Sequence, residues 1–496
     1  MEFWFLLLLG IITYLMVQRS VAQITKTPVW LLWLVLMTPA LLWTAWTAIN
    51  GQNVRPPQAL MIGPLIICPI VYWILFQKGR RTELTGKQTE VATPESAAVN
   101  HPVTEAVPVR PIEASEETQL RNCFPWSVYY LQNIDYRPQA IICRGQLRAE
   151  ATAAYETIKE NVETQFGDRF LVMFQEGLNG KPFFVLVPNT ELAKYQYRSS
   201  EKLTRPGLAL LLLLATLLTT TLIGALEVAG IQPKQLQAEP GLFWQGLPYA
   251  FAFMTILGLH ELGHYFTARR NKVRVTLPYF IPMPFFLGTF GAFIQMRSPL
   301  PNRKALFDIS IAGPIAGLIA TLPLLFWGLT QSTVVPLPEQ SGLLNSQSIT
   351  VLNPKYSILL ALIAKLVLGS QLTIKSAIDL HPVAFAGLLG LVVTALNLIP
   401  VGQLDGGRII HAMFGQRNAI VIGQIARLLL LLLCLVQPGF FLWAIILLFI
   451  PLVSEPALND ITELDNKRDI LGIVTMAVLV LIVLPLPNVF ARFLGM

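Results

Sequence analysis

Five consecutive residues, His260-Glu-Leu-Gly-His264, could bind a metal ion and use it for hydrolysis. They lie in an otherwise apolar run, residues 249–268, which predicts a helix. A helix turns 100° per residue, so the two imidazoles lie one turn apart on one face with Glu261 beside them. This pattern is typical of zinc hydrolases, in which the glutamate is the general base. Because ionisable side chains in hydrocarbon are costly, their position indicates chemistry inside a membrane.

Two imidazoles do not complete a catalytic zinc site, which usually has three protein ligands and leaves a fourth position for water. The candidate third ligands are Asp308, Asp379, Asp405 and the acidic residues past Glu455. Asp405 is the best placed, because it follows an apolar span that ends at Pro400. Three glycines, Gly402, Gly406 and Gly407, should let the backbone turn sharply there.

A membrane-embedded His-Glu-x-x-His followed far downstream by Asn397-x-x-Pro-x-x-x-x-Asp-Gly-Gly407 resembles the site-2 protease family of intramembrane zinc metalloproteases. The resemblance covers about residues 249–411. It implies Zn²⁺ as cofactor, with His260, His264 and Asp405 as ligands. It also implies that Glu261 is the general base and that Asn397 holds the substrate backbone or stabilises the oxyanion. The expected function is hydrolysis of membrane-anchored proteins near the cytoplasmic face, in regulated intramembrane proteolysis.

Two further features resemble one branch of that family, found in plastids and cyanobacteria and named for ethylene-dependent gravitropism-deficient and yellow-green plants. They are the glycine motifs at 288–292 and 313–317, and a linker with a small polar module before the catalytic part. The absence of a transit peptide before the first apolar segment favours the cyanobacterial side. We therefore expect a multi-pass protein of a cyanobacterial plasma or thylakoid membrane.

Two other classes of protein fit parts of the pattern. A divalent-metal transporter would also place His and Asp in the membrane, but it would need a polar path through the spans, which offer little of one. A non-proteolytic, chaperone-like scaffold would be expected to lose the catalytic base, yet Glu261 is present.

The composition identifies an integral membrane protein, since 54% of the 496 residues are hydrophobic and 13% are charged. We predict an α-helical polytopic fold of about 8–10 spans with a small cytoplasmic α+β module. The predicted spans are 3–17, 29–49, 59–76, 208–226, 249–268, 309–327, 383–399 and 470–486. Residues 419–453 could form one helix kinked at Pro438 or two short ones.

We predict four regions: 1–77 with three spans, a flexible linker 78–119, a soluble module 120–204 and the catalytic membrane domain 205–496. Within the module we expect a strand at 140–143, a helix over 151–166 closed by Gly167, and a hairpin of 170–174 with 183–187. The partner of this module is left open.

The net charge of +7 is best explained by topology, because Lys and Arg beside short loops set the orientation of spans. Basic residues at 78–81 and 269–274 place the ends of the third and fifth spans in the cytoplasm. Nucleic-acid binding is not implied, whereas contact with the lipid bilayer is.

The segment 273–296 is apolar but too rich in Pro and Gly for a helix. We predict a hairpin or re-entrant loop whose free strand edge, near Gly288 and Gly291, binds an unwound substrate by strand addition. The alternative is an ordinary interfacial loop. Gly313 and Gly317 are interpreted as a helix-packing patch in preference to a contact with substrate. His411 could support a metal ligand or be an alternate ligand, but we favour a polar histidine at the interface.

Overall fold

The computed structural model describes residues 27–50, 112, 114–137, 140–177, 180–189, 205–284, 287–336, 350–373, 376–436 and 441–495, and eight single residues before position 76. The chain divides into two compact units, Met1–Glu105 and Ala106–Met496. In the first unit, helix α1 covers Val29–Asn50 and coincides with a predicted span. The predicted spans at 3–17 and 59–76 fall largely outside the described residues.

The polar module has two helices and one antiparallel sheet. Its elements are α2 (Ala114–Asn122), β1 (Tyr129–Arg137), β2 (Ala140–Leu147), α3 (Ala151–Phe166), β3 (Phe170–Glu176) and β4 (Pro182–Pro188). The strand order is β1-β2-β4-β3, so β3 lies at an edge. The predicted helix and hairpin are present, and Gly167 ends α3 with φ 58°. The sequence missed β1, and α2 begins inside the segment that we predicted to be linker.

The first half of the membrane body contains α4 (Pro206–Ile223), which continues as one π-helical turn to Val228, and the short α5 (Pro233–Ala238). Then come α6 (Leu247–Arg270), the hairpin strands β5 (Tyr279–Pro282) and β6 (Thr289–Phe293), and α7 (Arg303–Thr330). The apolar run around the His-Glu-x-x-His motif is therefore one continuous helix of 24 residues. Pro248 lies in its first turn, where the missing N–H costs no hydrogen bond.

The second half begins with a three-stranded sheet in the order β7-β9-β8, formed by β7 (Thr333–Pro336), β8 (Val351–Leu352) and β9 (Ser376–Asp379). Its helices are α8 (Ile358–Leu368), α9 (Pro382–Leu398), α10 (Asp405–Val436), α11 (Phe441–Phe449), α12 (Asn466–Val483) and α13 (Asn488–Phe493). Residues 419–453 thus contain the second half of α10 and the whole of α11, and the predicted kink at Pro438 lies outside the described residues.

Four helices of the described residues are long and apolar enough to cross a membrane: Pro206–Val228, Pro240–Arg270, Arg303–Thr330 and Asp405–Cys434. Three of them contain predicted spans, and the fourth belongs to the ambiguous C-terminal region. Helix α9 corresponds to another predicted span but has 17 residues. Helix α12 has 18, with Lys467, Arg468 and Asp469 in its first turn. Both are therefore short of the roughly 20 residues of a full span.

The core of the membrane body lies where α6, α7 and α9 pack against one another. Small residues let their backbones approach closely. A Cβ on Gly263 of α6 would lie 2.5 Å from the Ala312 carbonyl oxygen of α7. A Cβ on Gly328 of α7 would lie 2.3 Å from the Ala384 nitrogen of α9. Close packing of these three helices brings their polar residues together in an apolar interior.

Candidate metal centre

Helix α6 presents two imidazoles to the interior of the membrane body. His260 and His264 are 4% and 7% exposed, and their Nε2 atoms lie 3.2 Å apart. Glu261 is also buried. These polar groups are four residues apart or adjacent on one helix, so the local geometry follows directly from the sequence.

Asp405 reaches the same point from the first turn of α10. One of its carboxylate oxygens, Oδ2, lies 3.5 Å from Nε2 of His260 and 3.2 Å from Nε2 of His264. In a tetrahedral zinc site with metal–nitrogen bonds of about 2.0–2.1 Å, neighbouring donor atoms lie about 3.3 Å apart. The three edges of this triangle match that value, so two imidazoles and one carboxylate fit a single zinc ion. Within the described residues, this is the one group of three such side chains whose donor atoms lie close enough to share an ion.

The other candidate carboxylates have different partners. Asp308 binds the Arg468 guanidinium with two hydrogen bonds of 2.7 and 2.8 Å. Asp379 accepts a hydrogen bond from Thr350 in the small sheet, and Asp460 pairs with His411. Of these acidic residues, Asp405 is therefore the one that lies with the two motif histidines.

Three glycines allow Asp405 to reach the two histidines, but only one of them makes the predicted turn. Only Gly402 has a positive φ, 52°, and it makes the turn between α9 and α10. Gly406 and Gly407 lie inside the first turn of α10, so the prediction that they also bend the chain is wrong. A Cβ on Gly406 would lie 1.9 Å from the Leu398 carbonyl oxygen. These two glycines are needed for close packing, which holds the start of α10 against the end of α9.

Helix α7 orients His264. The Nδ1 atom of His264 lies 2.7 Å from the carbonyl oxygen of Ile309, so Nδ1–H donates and Nε2 is left with its lone pair for a metal. Gly313 and Gly317 of α7 leave room for the imidazoles, since a Cβ on Gly313 would lie 2.0 Å from Nε2 of His264. The interpretation of these glycines as a packing patch is correct. It did not identify the histidine rings as what they pack against.

Two polar groups border the triangle. The Nδ2 atom of Asn397, near the end of α9, lies 3.3 Å from Nε2 of His260. The backbone of Ile294, just after β6, lies near the Glu261 carboxylate and interacts with it electrostatically. Both predicted catalytic side chains therefore lie beside the metal-binding atoms, and the hairpin loop contacts one of them.

The predicted hairpin at 273–296 is present as β5 and β6, with a further bridge between Val275 and Met296. Strand β5 packs on α4, and β6 lies beside α6. Gly288 has φ 85° and lies against α4, where its carbonyl accepts a hydrogen bond of 2.7 Å from Thr219. Gly291 has φ 104°, and a Cβ there would meet no atom within 4 Å. The hairpin thus has an anchored corner at Gly288 and an open position at Gly291.

The interpretation of His411 as an interfacial histidine is wrong, because its side chain is fully buried. Its Nε2 lies 3.0 Å from Asp460, and its Nδ1 lies 2.5 Å from the hydroxyl of Ser454. Sequence reasoning missed this cluster, since the three residues come from separate segments and form no motif.

Two family models match the chain. Residues 248–435 match Peptidase family M50, and residues 118–194 match the EGY3 middle domain. The matched M50 region contains all the residues of the triangle, Glu261 and Asn397. Residues 248–435 are therefore similar to peptidase family M50, the site-2 protease family, and the resemblance stated from the motifs of the chain is confirmed.

The curated relatives belong to the plastid branch. The chain is 29% identical over 373 residues to a probable zinc metalloprotease EGY2, chloroplastic, of Arabidopsis thaliana, covering 74% of this chain and 64% of that protein. It is 36% identical over 266 residues to EGY1 of the same plant, covering 53% and 47%, and 26% identical over 387 residues to EGY3, covering 73% and 65%. The matches thus span about half to two thirds of these relatives. No solved structure matches the chain.

Proposed function

We propose that this protein is an intramembrane zinc metalloendopeptidase that hydrolyses peptide bonds of membrane-anchored proteins. The observation that carries the proposal is the triangle of His260, His264 and Asp405, with edges of 3.2–3.5 Å inside apolar packed helices. Relatives named zinc metalloproteases support Zn²⁺ as the ion. In this proposal the two imidazoles and the carboxylate are its ligands.

Zinc in such a site supplies Lewis acidity, making a water molecule acidic enough to lose a proton near neutral pH and polarising the scissile carbonyl. Glu261 then acts as the general base. Its carboxylate takes a proton from the attacking water, the water oxygen bonds to the carbonyl carbon, and the C–N bond breaks. The same carboxyl group returns the proton to the leaving amine. Burial of Glu261 beside the triangle supports this role.

Asn397 is the proposed second catalytic residue. Its amide nitrogen lies 3.3 Å from Nε2 of His260, the atom whose lone pair we assign to the metal. Once that lone pair is used, the Asn397 N–H group loses this acceptor and is free to donate to a substrate carbonyl. A donor directed at the oxygen where negative charge develops lowers the barrier of acyl transfer.

The substrate class follows from the surroundings of the site. A transmembrane helix hides its peptide bonds in its own hydrogen bonds, so it must unwind locally before a carbonyl can reach the triangle. The β5–β6 hairpin can bind an unwound segment by strand addition. Gly291, with open space beside it, supports this use of β6. Gly288 contacts α4, and this contact supports a role in anchoring the hairpin that would bind the substrate.

For the cellular setting, we propose a thylakoid or related photosynthetic membrane, since the curated relatives are chloroplastic. A cyanobacterial origin remains part of this proposal. The cytoplasmic or stromal side is assigned to the end of α6 that carries Arg269 and Arg270, because basic residues accumulate on that side. His264 precedes Arg269 by five residues, which puts the triangle about 7–8 Å inside that boundary. The four predicted regions remain our proposed domain division.

One experiment tests the activity. Purified protein is incubated with candidate single-span membrane proteins, alone, with a zinc chelator, and as the Glu261→Gln variant. The enzyme hypothesis predicts fragments only with the untreated wild type, whereas the variant keeps zinc and loses cleavage. Identical fragments in all three preparations would refute it. Metal transport or chaperone-like binding that survives Glu261→Gln would support the alternative classes instead.

A further inference from the structure

A loop between α11 and α12 joins the soluble module to the membrane body. Residues Leu458, Asn459 and Asp460 lie between the edge strand β3 and the segment before α7. Phe174 of β3 donates to the Leu458 carbonyl at 2.7 Å and accepts from the Asp460 nitrogen at 2.8 Å. On the other side, the Leu458 nitrogen donates to the Leu300 carbonyl at 2.8 Å. The loop thus extends the module's sheet and fastens it to the start of α7.

The same loop is buried and packs on both parts. Leu458 and Ile461 contact the core of the module, whereas Ala457 is fully buried in the cluster that contains Ile309 and Ile409. Asn459 is 2% exposed, and its side chain accepts hydrogen bonds from the nitrogens of Ile461 and Thr462. A loop with this much buried, satisfied backbone has a single fixed conformation.

Asp460 of this loop holds His411 of α10. The buried pair has an Nε2–Oδ2 distance of 3.0 Å, and Ser454 holds the other ring nitrogen. Arg303, in the first turn of α7, donates to the backbone carbonyl of His411 at 3.1 Å. Glu176 at the end of β3 is among the carboxylates that interact electrostatically with Arg303. Polar contacts therefore connect the N-terminal turns of α7 and α10, and the module takes part in them through Glu176.

His411 and Asp405 lie on one short rigid segment. They are six residues apart, about 9 Å along a helix axis, and the helix kinks at Gly415, where φ is 79° and ψ is 164°. The segment from Asp405 to Phe414 is thus bounded by the Gly402 turn at one end and by the kink at the other. Its first end is fixed by close packing against Leu398. Its second end is fixed by the contacts of His411.

We propose that His411 and Asp460 are positioning residues that hold the first turns of α10 where Asp405 meets the two histidines, and that docking of the soluble module on the 458–460 loop maintains this position. The inference rests on the proposed role of Asp405 as a metal ligand. It gives the soluble module a function in the membrane site without direct contact between them. Removal of a group that is hydrogen-bonded to a metal ligand changes metal affinity, and His411 and Asp460 act one step further away, through the helix that carries Asp405.

The test uses full-length protein and measures the rate of zinc loss to an excess of chelator, together with the visible spectrum of the Co²⁺-substituted protein. The spectrum reports the geometry of the ligands, which a merely structural residue would not change. We expect His411→Ala and Asp460→Ala to lose zinc about 10–100 times faster than the wild type and to shift the Co²⁺ bands. Asp460→Asn retains an oxygen that can accept from Nε2 of His411, so it should recover most of the wild-type behaviour.

His381→Ala is the matched control. This histidine also makes a helix-end contact, with the Val383 nitrogen at 3.3 Å, but it lies at the opposite end of α9 from Asn397. It should lose zinc at the wild-type rate. If the alanine variants at 411 and 460 do not fold, Ser454→Ala removes a single hydrogen bond from His411 and should still speed zinc loss several-fold.

The outcomes separate this inference from the proposed function. A wild-type protein that binds no zinc would refute the metal centre and, with it, the role of His411. A wild type that binds zinc, with unchanged zinc loss and Co²⁺ spectra in the His411, Asp460 and Ser454 variants, would refute the positioning role alone. If His381→Ala loses zinc as fast as the His411 and Asp460 variants, the positioning role is also refuted, because the faster loss would then reflect general destabilisation.

Discussion

Replacing Gly313 by alanine should remove the metal while leaving the fold nearly intact. A Cβ at this position would lie 2.0 Å from Nε2 of His264 and 2.5 Å from two of its ring carbons. Ordinary contact begins at 3.4 Å, so the imidazole would have to move by about 1.4 Å. The Nδ1 atom of the same ring is held by the 2.7 Å hydrogen bond to the carbonyl oxygen of Ile309. It therefore cannot move without losing this bond and its place in the triangle.

The expected effect on metal binding is large. Metal–ligand distances tolerate deviations of only about 0.2 Å, far less than the required shift. Loss of an orienting contact alone costs about 10–100-fold in affinity. We expect Gly313→Ala to weaken zinc binding at least about 100-fold, or about 2.8 kcal/mol, and to abolish cleavage. The free energy of unfolding of the metal-free protein should fall by less, about 0–2.5 kcal/mol. Overpacking costs about 1–3 kcal/mol, whereas alanine in a helix gains about 0.5–1 kcal/mol over glycine.

Gly317→Ala is the internal control. Its Cβ would lie 3.1 Å from Nδ1 and 3.3 Å from Cβ of His260, so a shift of a few tenths of an ångström suffices. Zinc affinity should fall less than about tenfold. Both variants are assayed by bound zinc after equilibrium dialysis against a metal buffer, by cleavage, and by thermal unfolding. Wild-type zinc affinity in Gly313→Ala, or equal losses in the two variants, would refute the packing argument.

Three further predictions test other parts of the molecule. Asp405→Asn replaces a charged ligand by a neutral amide and should lower zinc affinity about 100-fold or more in the same dialysis assay, and retention of wild-type affinity would contradict its role as a ligand. Asn397→Ala should keep zinc but lower kcat about 10²–10³-fold in a cleavage assay, because an oxyanion donor is lost, and an unchanged kcat would exclude that role. Burial raises the pKa of Cys123 to about 11 and that of Cys143 to about 12, so both thiols should stay protonated and resist iodoacetamide at pH 8 until the module unfolds. Peptide mass spectrometry measures this alkylation, and rapid modification of the native protein would show that the module core is open.

Much of the secondary structure could be predicted because it depends on local patterns. The apolar run with two histidines one turn apart indicated α6, and Gly167 after a helical period indicated the end of α3. Strand β1 was missed because its exposed and buried residues follow no strict alternation: Asn133 and Gln132 are both exposed, and the strand carries a bulge between Leu131 and Asn133. Helix α2 was missed because a short polar helix has no apolar period to reveal it.

By itself, the sequence determined the chemical groups of the candidate site. Two imidazoles and a carboxylate base on one helical turn follow from residue types and spacing, since a helix fixes the relative positions of residues four apart. The sequence also limited the third donor to a few carboxylates and favoured Asp405, but spacing alone left the others open. The close packing at Gly406 and Gly407 could not be distinguished from a turn, because glycine serves both purposes.

Only the tertiary structure decided which distant residues meet. Asn397 and His260 are 137 positions apart, yet their nitrogens lie 3.3 Å from each other. The Ile309 carbonyl that orients His264 and the Asp460 carboxylate that holds His411 belong to no motif. Such contacts depend on how close two helices come and on how each is rotated, which the small residues at their interfaces determine. That packing is a property of the whole membrane body, so no local pattern in the chain could specify it.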